Sequence, residues 1–538
     1  MNQLLAVGGE ETARWYELHQ TDPYILIPFI GYMVGVFVIA IVAHKYLKKD
    51  GFEEEYYVGG RSFGAWVLAF SWVATLASGG SFLGYPSLIY SYGWSMGLWV
   101  SGSTVTAIIG IVVAGKRINR LARQTGALTL VDLLRDRYRS HTVGVVYALV
   151  IVFVTTVYLM AQFVAGARIL QSILETSYVM GLLVFTVSVV AYTTYGGFRA
   201  VAWTDTLQGI VMIIGIVMLV PMAVSAVGGL EKATQSLATR EDPAAIAKGQ
   251  QTERHAYLYL PGPQKFLKKD ADPDSAPLDD VWLPIGLGIS MFLLRSLGAV
   301  MMPTTIPRML AFRDTKALRR ALYVLAPYFL LMYGSSLITM NCAHALDLGL
   351  APHESDQAVP ELAKRVAHPL LVGLLIAAPF AAVMSTVDSA LLVISASVVR
   401  DLVQKTFCPN MSTKSTKRLS YIVTAVAGAA VFLLALTEPP FLQPLVIYYV
   451  AGGSSSLFWP SLATLFWRRT TTAGVIAGLV GGTSVFVLCD LLHPFDSIVQ
   501  LHPFVFGFSC SGILVCVVSL LTPKQNSSHL DLYFGRGA

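Results

Sequence analysis

Residues 377–401 read AAPFAAVMSTVDSALLVISASVVRD, and the reading of this stretch decides the fold. It belongs to an apolar run, 368–399, that exceeds the roughly 20 residues a helix needs to cross a bilayer. Yet Ser385, Thr386, Asp388 and Ser389 fall near its middle. On a helix Ser385, Asp388 and Ser389 share one face, because i+3 and i+4 are neighbours. Polar groups left unpaired at hydrocarbon depth cost several kcal/mol, so each of them needs a partner. The hydroxyls can bond back to their own helix. Adding Asp388 to them points instead to an ion or solute path through the membrane.

The rest of the chain is built of similar material. Of its 538 residues 55% are hydrophobic and only 13% are charged, which is not the make-up of an ordinary soluble domain. The mean hydropathy of +0.62 agrees. Thirteen apolar runs lie near 24–44, 64–90, 95–115, 141–173, 177–195, 199–228, 283–312, 321–345, 368–399, 419–437, 441–467, 472–492 and 500–521. None alternates as a barrel strand does, so the fold class is all-α: a polytopic membrane protein with about 13 transmembrane helices.

Every second connection is short and basic. Lys45, Lys48, Lys49 and Arg61 follow the first run, Lys116, Arg117, Arg120 and Arg123 the third, and Arg199 the fifth. Arg313, Lys316, Arg319 and Arg320 follow the seventh, Arg400 and Lys405 the ninth, and Arg468 and Arg469 the eleventh. Positive loops stay in the cytoplasm, so the N-terminus is expected outside the cell membrane and the C-terminus inside. The net charge of +6 follows from these loops and calls for no nucleic-acid partner.

The first twenty residues, MNQLLAVGGEETARWYELHQ, carry acids and no basic segment before a short apolar core, so they do not read as a cleavable signal. Cys342, Cys408, Cys489, Cys510 and Cys516 form no C-x-x-C pair, and no metal or redox cofactor is expected. TLVDLLRDRYRS, at 129–140, places Thr129 and Asp132 at capping-box spacing and predicts a short amphipathic helix on the cytoplasmic membrane surface. Residues 229–280, rich in Pro, Asp and Lys, predict a partly ordered outside loop, and the tail LTPKQNSSHLDLYFGRGA is too short for an appended domain.

Two runs are interrupted. The second reads FSWVATLASGGSFLGYPSLIYSYG, with Gly79 and Gly80 at mid-span and Pro86 after them. The seventh, WLPIGLGISMFLLRSLGAVMMPTTIPRML, has Gly298 and Pro303 there, and Arg295 among apolar residues. Gly and Pro weaken a helix by about 1 and 3 kcal/mol relative to Ala. Close helix packing is one use of small residues in a membrane. The other is a true break: the runs lie five apart, so they have opposite topology, and paired broken helices in opposed halves mark an inverted-repeat transporter.

The stretch 192–208, YTTYGGFRAVAWTDTLQ, fits the long pattern Y-T-x-x-G-G-x-x-A-V-x-W-T-D-x-x-Q. With WRRTTTAGVIAGLVGG at 467–482 and the core AAVMSTVDSALL of the opening stretch, the chain resembles the sodium:solute symporter family from about residue 54 to 482. Within that family it looks most like the sodium/pantothenate symporters, through LARQTGALTLVDLLRDRY, QFVAGARIL and LIAAPFAAVMSTVDSALL. The resemblance implies a LeuT-like fold. Two inverted five-helix repeats, 64–228 and 283–467, are joined by the loop 229–282, with one helix before them (1–63) and two after (468–538).

It also implies a site. Sodium would lie between the break in the second run and the ninth run, held by the carbonyls of Ala74, Ala77 and Ala382 and the hydroxyls of Ser385 and Thr386. An oxygen shell of this kind suits a hard cation. Asp205 matches an acid that some members use in sodium transit or at a second cation site, where Ser385, Asp388 and Ser389 would be its fellow ligands. Asp388 departs from the amide or small residue usual in pantothenate symporters; it either strengthens that second site or titrates and admits protons. Ser78, Ser81, Phe82 and Gln162 would line the solute cavity.

Arg295 offers a bidentate cradle for a carboxylate, or else pairs with Asp388 or Asp205. Arg295, and Thr304 where the family often has His, depart from the pantothenate pattern and leave the solute open. The function implied is secondary active transport: sodium-coupled uptake of a small organic acid such as pantothenate, with a proline-like amino acid or a monocarboxylate as alternatives. A membrane sensor with a transporter-like bundle is the reading from another class. A membrane enzyme is the weakest, since H-E-x-x-H is absent from the runs.

Overall fold

The computed structural model describes residues 23–45, 51–239, 257–260, 262, 283–350, 352–438, 442–492, 501–525 and 527–535. Most of the loop expected at 229–280, and the first 22 residues, lie outside them. Among the described residues the chain is helical, with one isolated bridge, Phe63 to Phe312, and no sheet. The first half runs through α1 (Leu26–His44), α2 (Ala65–Leu76), α3 (Tyr85–Tyr92), α4 (Gly97–Gly110), α5 (His141–Leu174) and α6 (Tyr178–Val227). The second half holds α7 (Ile285–Ser296), α8 (Ile306–Ala311), α9 (Thr315–Ala345), α10 (Pro369–Ser395), α11 (Thr413–Ala435) and α12 (Leu442–Phe466). Then come α13 (Thr472–Leu492) and α14 (Pro503–Leu521).

Nine helices among the described residues are long and apolar enough to cross a membrane unaided. That is fewer than the thirteen runs: the second and seventh runs are broken, the fifth and sixth share one bent helix, and Leu442–Phe466 is not among the nine. The 50 residues of α6 would make a rod of about 75 Å, more than twice the hydrocarbon thickness. Gly197, at φ 60 and ψ −174, turns it back on itself. Only glycine holds that conformation without strain, and the ring of Tyr56 packs where a Cβ would stand, 2.7 Å from it. Gly93, at φ 66 and ψ −146, likewise divides the 46-residue segment Gly80–Thr125. In the second and seventh runs the helix stops partway, which leaves only the shorter pieces Ala65–Leu76 and Ile285–Met301.

Both breaks form where glycine and proline foreshadow them. Ala77 swings to ψ 99 after α2, a tight π-type turn spans Gly80–Gly84, and α3 restarts with Pro86 in its first turn. After α7 a 3-10 turn covers Gly298–Met301, Met302 is extended, and α8 restarts with Pro307 in its first turn. Proline suits that position because its missing N–H is an orphan there anyway.

α10 is the central element. Every residue from Leu375 to Ser395 is buried, as expected for a helix that is apolar all round and enclosed by others. α6, α5, α1, α11 and α2 surround it. α1 shows the opposite pattern: Phe29, Tyr32, Val36 and Ala40 face inward while Ile27, Ile30, Val34, Val38 and Ile41 are exposed. An outer stripe of that kind on a multi-pass membrane protein is lipid-facing.

The helix Leu130–Tyr138 forms as the capping box predicts, with Thr129 Oγ1 accepting the Asp132 amide at 2.9 Å. Its apolar residues pack on protein: Leu130, Val131, Leu133 and Leu134 are buried, while Asp132, Arg135 and Asp136 are half-buried. Arg400 Nε donates to Asp132 Oδ2 at 2.8 Å, and Tyr533 Oη of the tail donates to the Leu133 carbonyl at 3.2 Å.

Candidate functional site

The site forms where the unwound end of α2 meets the middle of α10. The last carbonyls of a helix have no amide partner within it, so stopping α2 at Leu76 leaves oxygens of Ala74 and Thr75 free to turn toward α10. Ser385 Oγ donates to the Ala74 carbonyl at 2.7 Å and lies 3.0 Å from that of Ala382. Thr386 Oγ1 is 2.8 Å from the Ala382 carbonyl, 3.4 Å from Ala77 O and 3.5 Å from Thr75 O. The structure thus brings all five expected oxygens together and adds that of Thr75. Two hydroxyl hydrogens serve four carbonyls, which makes the cluster rich in acceptors and poor in donors. All of these residues are buried. Such a shell of oxygens is chemically suited to a small hard cation.

Next to it is a cluster whose charge was not foreseen. Asp205 is fully buried and pairs with Arg308, Nη2 to Oδ2 at 2.9 Å. Ser71 Oγ donates to the same oxygen at 2.6 Å, Arg308 Nη2 also donates to Ser389 Oγ at 2.5 Å, and Ser389 reaches back to the Ser385 carbonyl at 2.8 Å. A guanidinium therefore stands among Asp205, Ser71 and Ser389, the place expected for a second cation. Arg308 lies only five residues before Arg313, so on sequence it passes for a charge at the end of a span. Pro307 before it was the usable signal, because it restarts a helix inside the run.

Asp388 does not join that group. Successive side chains on a helix diverge by about 100°, and Asp388 faces α6 instead of Ser389's neighbours. Its Oδ1 lies 2.6 Å from Tyr192 Oη and 2.7 Å from Thr193 Oγ1. Of the four residues proposed for a second cation site, Asp205 and Ser389 meet through Arg308, Ser385 belongs to the first shell, and Asp388 stands apart.

On the far side of the α2 break is a cavity of about 30 Å³, room for a water molecule. Ser78 and Arg295 line it with Tyr158, Tyr333, Tyr449 and Thr304. Arg295 pairs with neither Asp388 nor Asp205. Its Nε donates to Ser103 Oγ at 3.1 Å, and its guanidinium lies 5.2 Å from the centre of the Tyr85 ring. Among the described residues no carboxylate forms an ion pair with it. Ser81 and Phe82 line a neighbouring cavity, and Ser81 Oγ sits 3.1 Å from Tyr333 Oη. Gln162 secures the break: its Oε1 accepts the Gly79 amide at 2.8 Å. The aromatic wall, with Tyr158 and Tyr449 stacked at 4.0 Å, gave no sequence signal that distinguishes it from ordinary core.

Polar ties link helices at both ends of the bundle. At one end Arg168 pairs with Asp356 at 2.5 Å and Ser87 meets Ser355 at 2.6 Å. Burial pushes the Asp356 carboxyl above its usual range, against the pull of Arg168. At the basic end Arg400 joins Asp132 and Glu53, and Thr129 donates to Asp401 at 2.8 Å.

The sequence profile of the Sodium:solute symporter family matches residues 56–482. A sodium/pantothenate symporter of Escherichia coli (strain K12) is 33% identical over 475 residues, 87% of this chain and 91% of that protein. A sodium/proline symporter of Haemophilus influenzae is 29% identical over 518 residues, 94% of this chain and 96% of that protein. Among solved structures, that of a Na+-coupled sialic acid symporter in a substrate-bound outward-open state superposes with a TM-score of 0.73. It is 17% identical and covers 94% of this chain and 99% of that one. The fold is thus of the inverted-repeat, LeuT-like type.

Proposed function

This chain belongs to the sodium:solute symporter family, a sodium-coupled secondary transporter and not an enzyme, and we propose that its solute is a small organic acid such as pantothenate. Arg295 carries this reading. It is a cation in a small cavity between two broken helices, with no carboxylate in an ion pair among the described residues. A guanidinium there is matched by the two oxygens of a carboxylate, and the resemblance to the sodium/pantothenate symporter of E. coli supports the choice. The likeness to a sodium/proline symporter keeps a proline-like amino acid as the second reading, since its carboxylate would use the same guanidinium.

Sodium would bind to Ala74, Ala77, Ala382, Ser385 and Thr386, aided by Thr75. Coupling then follows from the chain itself. The Ala77 carbonyl belongs to the ion shell and the next residue, Ser78, lines the solute cavity. An ion that orders the break also shapes the cavity, and a solute that holds the cavity steadies the shell. Rocking of the broken helices against their neighbours would expose the loaded site to the other side. The repeats would be 64–228 and 283–467, in a cell membrane with the N-terminus outside and the basic end cytoplasmic.

The test is uptake of labelled pantothenate into proteoliposomes under an inward sodium gradient, with unlabelled pantothenate, proline and acetate as competitors. Pantothenate should compete at the lowest concentration. Proline competing at a lower concentration than pantothenate would assign the second reading, and no sodium-driven uptake of the label would remove pantothenate as the solute.

A further inference from the structure

Arg295 is held in place by α4, at two points. Gly102 is where α4 and α7 come closest: a Cβ there would stand 2.6 Å from the Phe292 carbonyl oxygen and 3.1 Å from its Cα. Only a residue without a side chain lets two helix backbones meet at that distance. The approach brings the neighbouring residues of α4 to the last turn of α7. Ser103 Oγ accepts the Arg295 Nε–H at 3.1 Å. Thr106, three residues on and on the same face, donates its hydroxyl to the Arg295 carbonyl. That carbonyl is among the last four of α7, which lack amide partners within a helix. Arg295 is thus fixed at its backbone and again at Nε.

A third contact sets the plane of the guanidinium. Its carbon lies 5.2 Å from the centre of the Tyr85 ring, where the face of an aromatic ring attracts a cation. Tyr85 cannot turn away. It is fully buried, its Oη sits 3.0 Å from Ser103 Oγ, and its ring meets those of Tyr333 and Trp99 edge to face at 5.7 and 6.5 Å. A guanidinium has five N–H donors. Ser103 takes the one on Nε, which leaves the four on Nη1 and Nη2 to the cavity that Arg295 lines beside Tyr333. A long side chain that is free to rotate loses that freedom when it binds a ligand. Here folding has already restricted it.

We propose that Ser103 and Tyr85 are positioning residues for solute recognition: they hold Arg295 as a preset fork whose two terminal nitrogens meet the two oxygens of a solute carboxylate. The inference rests on the carboxylate reading of Arg295 and adds the source of its selectivity. A fork fixed in plane and direction matches a planar, two-oxygen anion better than it matches an amide or a lone hydroxyl.

A double-mutant cycle on solute KM tests this. Uptake of labelled pantothenate, or of labelled proline should pantothenate not be transported, is measured in proteoliposomes under an inward sodium gradient. The proteins are wild type, Ser103→Ala, Arg295→Gln and the double variant. Ser103→Ala should raise KM by about three- to tenfold, with a smaller change in maximal rate. In the Arg295→Gln background, where no Nε–H remains to be held, it should add less than about twofold. Should Ser103→Ala fail to fold, Tyr85→Phe takes its place: it keeps the ring, removes Ser103's other partner, and should show the same dependence on Arg295. A KM raised by one factor in both backgrounds, or a maximal rate that falls at constant KM, makes the hydroxyl a structural one and overturns the positioning role. An unchanged KM in Ser103→Ala beside a raised one in Arg295→Gln overturns that role and leaves the carboxylate reading intact. An unchanged KM in Arg295→Gln, or uptake of neither label, overturns both.

Discussion

Two side chains on α10 decide whether the ion shell works. Ser385 and Thr386 point their hydroxyls at four carbonyl oxygens, so each hydroxyl both supports the break and offers a ligand. Ser385→Ala removes one ligand and leaves the Ala74 carbonyl unpaired, a loss of about 1–3 kcal/mol. The sodium concentration for half-maximal transport should therefore rise roughly ten- to hundredfold, read from uptake at varied sodium with choline as balance. An unchanged sodium requirement would remove Ser385 from the shell. Arg295 is tested in the same way on the solute side. Arg295→Gln should raise the solute KM by about ten- to hundredfold, the worth of a charge-assisted hydrogen bond. Arg295→Lys should recover only part of this, because an ammonium lacks the planar fork. A Lys variant equal to wild type would mean that charge alone matters there.

At the scale of elements the breaks carry function, and they were largely legible. Gly79, Gly80 and Pro86 in one run, with Gly298 and Pro303 in the other, place both interruptions because glycine and proline act on the backbone directly. The five expected oxygens also meet as the resemblance implied. Partnership between distant helices was not legible. That Arg308 would take Asp205, and that Asp388 would turn to Tyr192 and Thr193 on α6, depends on how helices rotate against each other. Hydropathy has no information on that. Nor does it show that the fifth and sixth runs join in one bent helix, as they do at Gly197 of α6. Gly197→Ala places a Cβ against the Tyr56 ring in a backbone region nearly closed to other residues. It should destabilise the fold by about 1–3 kcal/mol, seen as a lower melting temperature in detergent. An unaltered melting temperature would mean that α6 can straighten there.

The molecule as a whole is an α10 core enclosed by helices, two broken elements beside it, and polar ties at each end. The solute cavity has room for a water molecule, so loading a solute must move the Tyr158–Tyr449 stack or the broken helices that carry Ser78 and Arg295. The tie of Arg168 to Asp356 and the tie of Arg400 to Asp132 link helices at opposite ends, and alternating access would break them in turn. Sodium is what would set the order, because its shell joins a broken helix to the core. Uptake of labelled pantothenate by proteoliposomes under an inward sodium gradient, with sodium then replaced by choline, tests this most directly. The account predicts that uptake collapses on replacement in the wild type, and that Ser385→Ala needs far more sodium for the same rate. Uptake that continues undiminished in choline would contradict it.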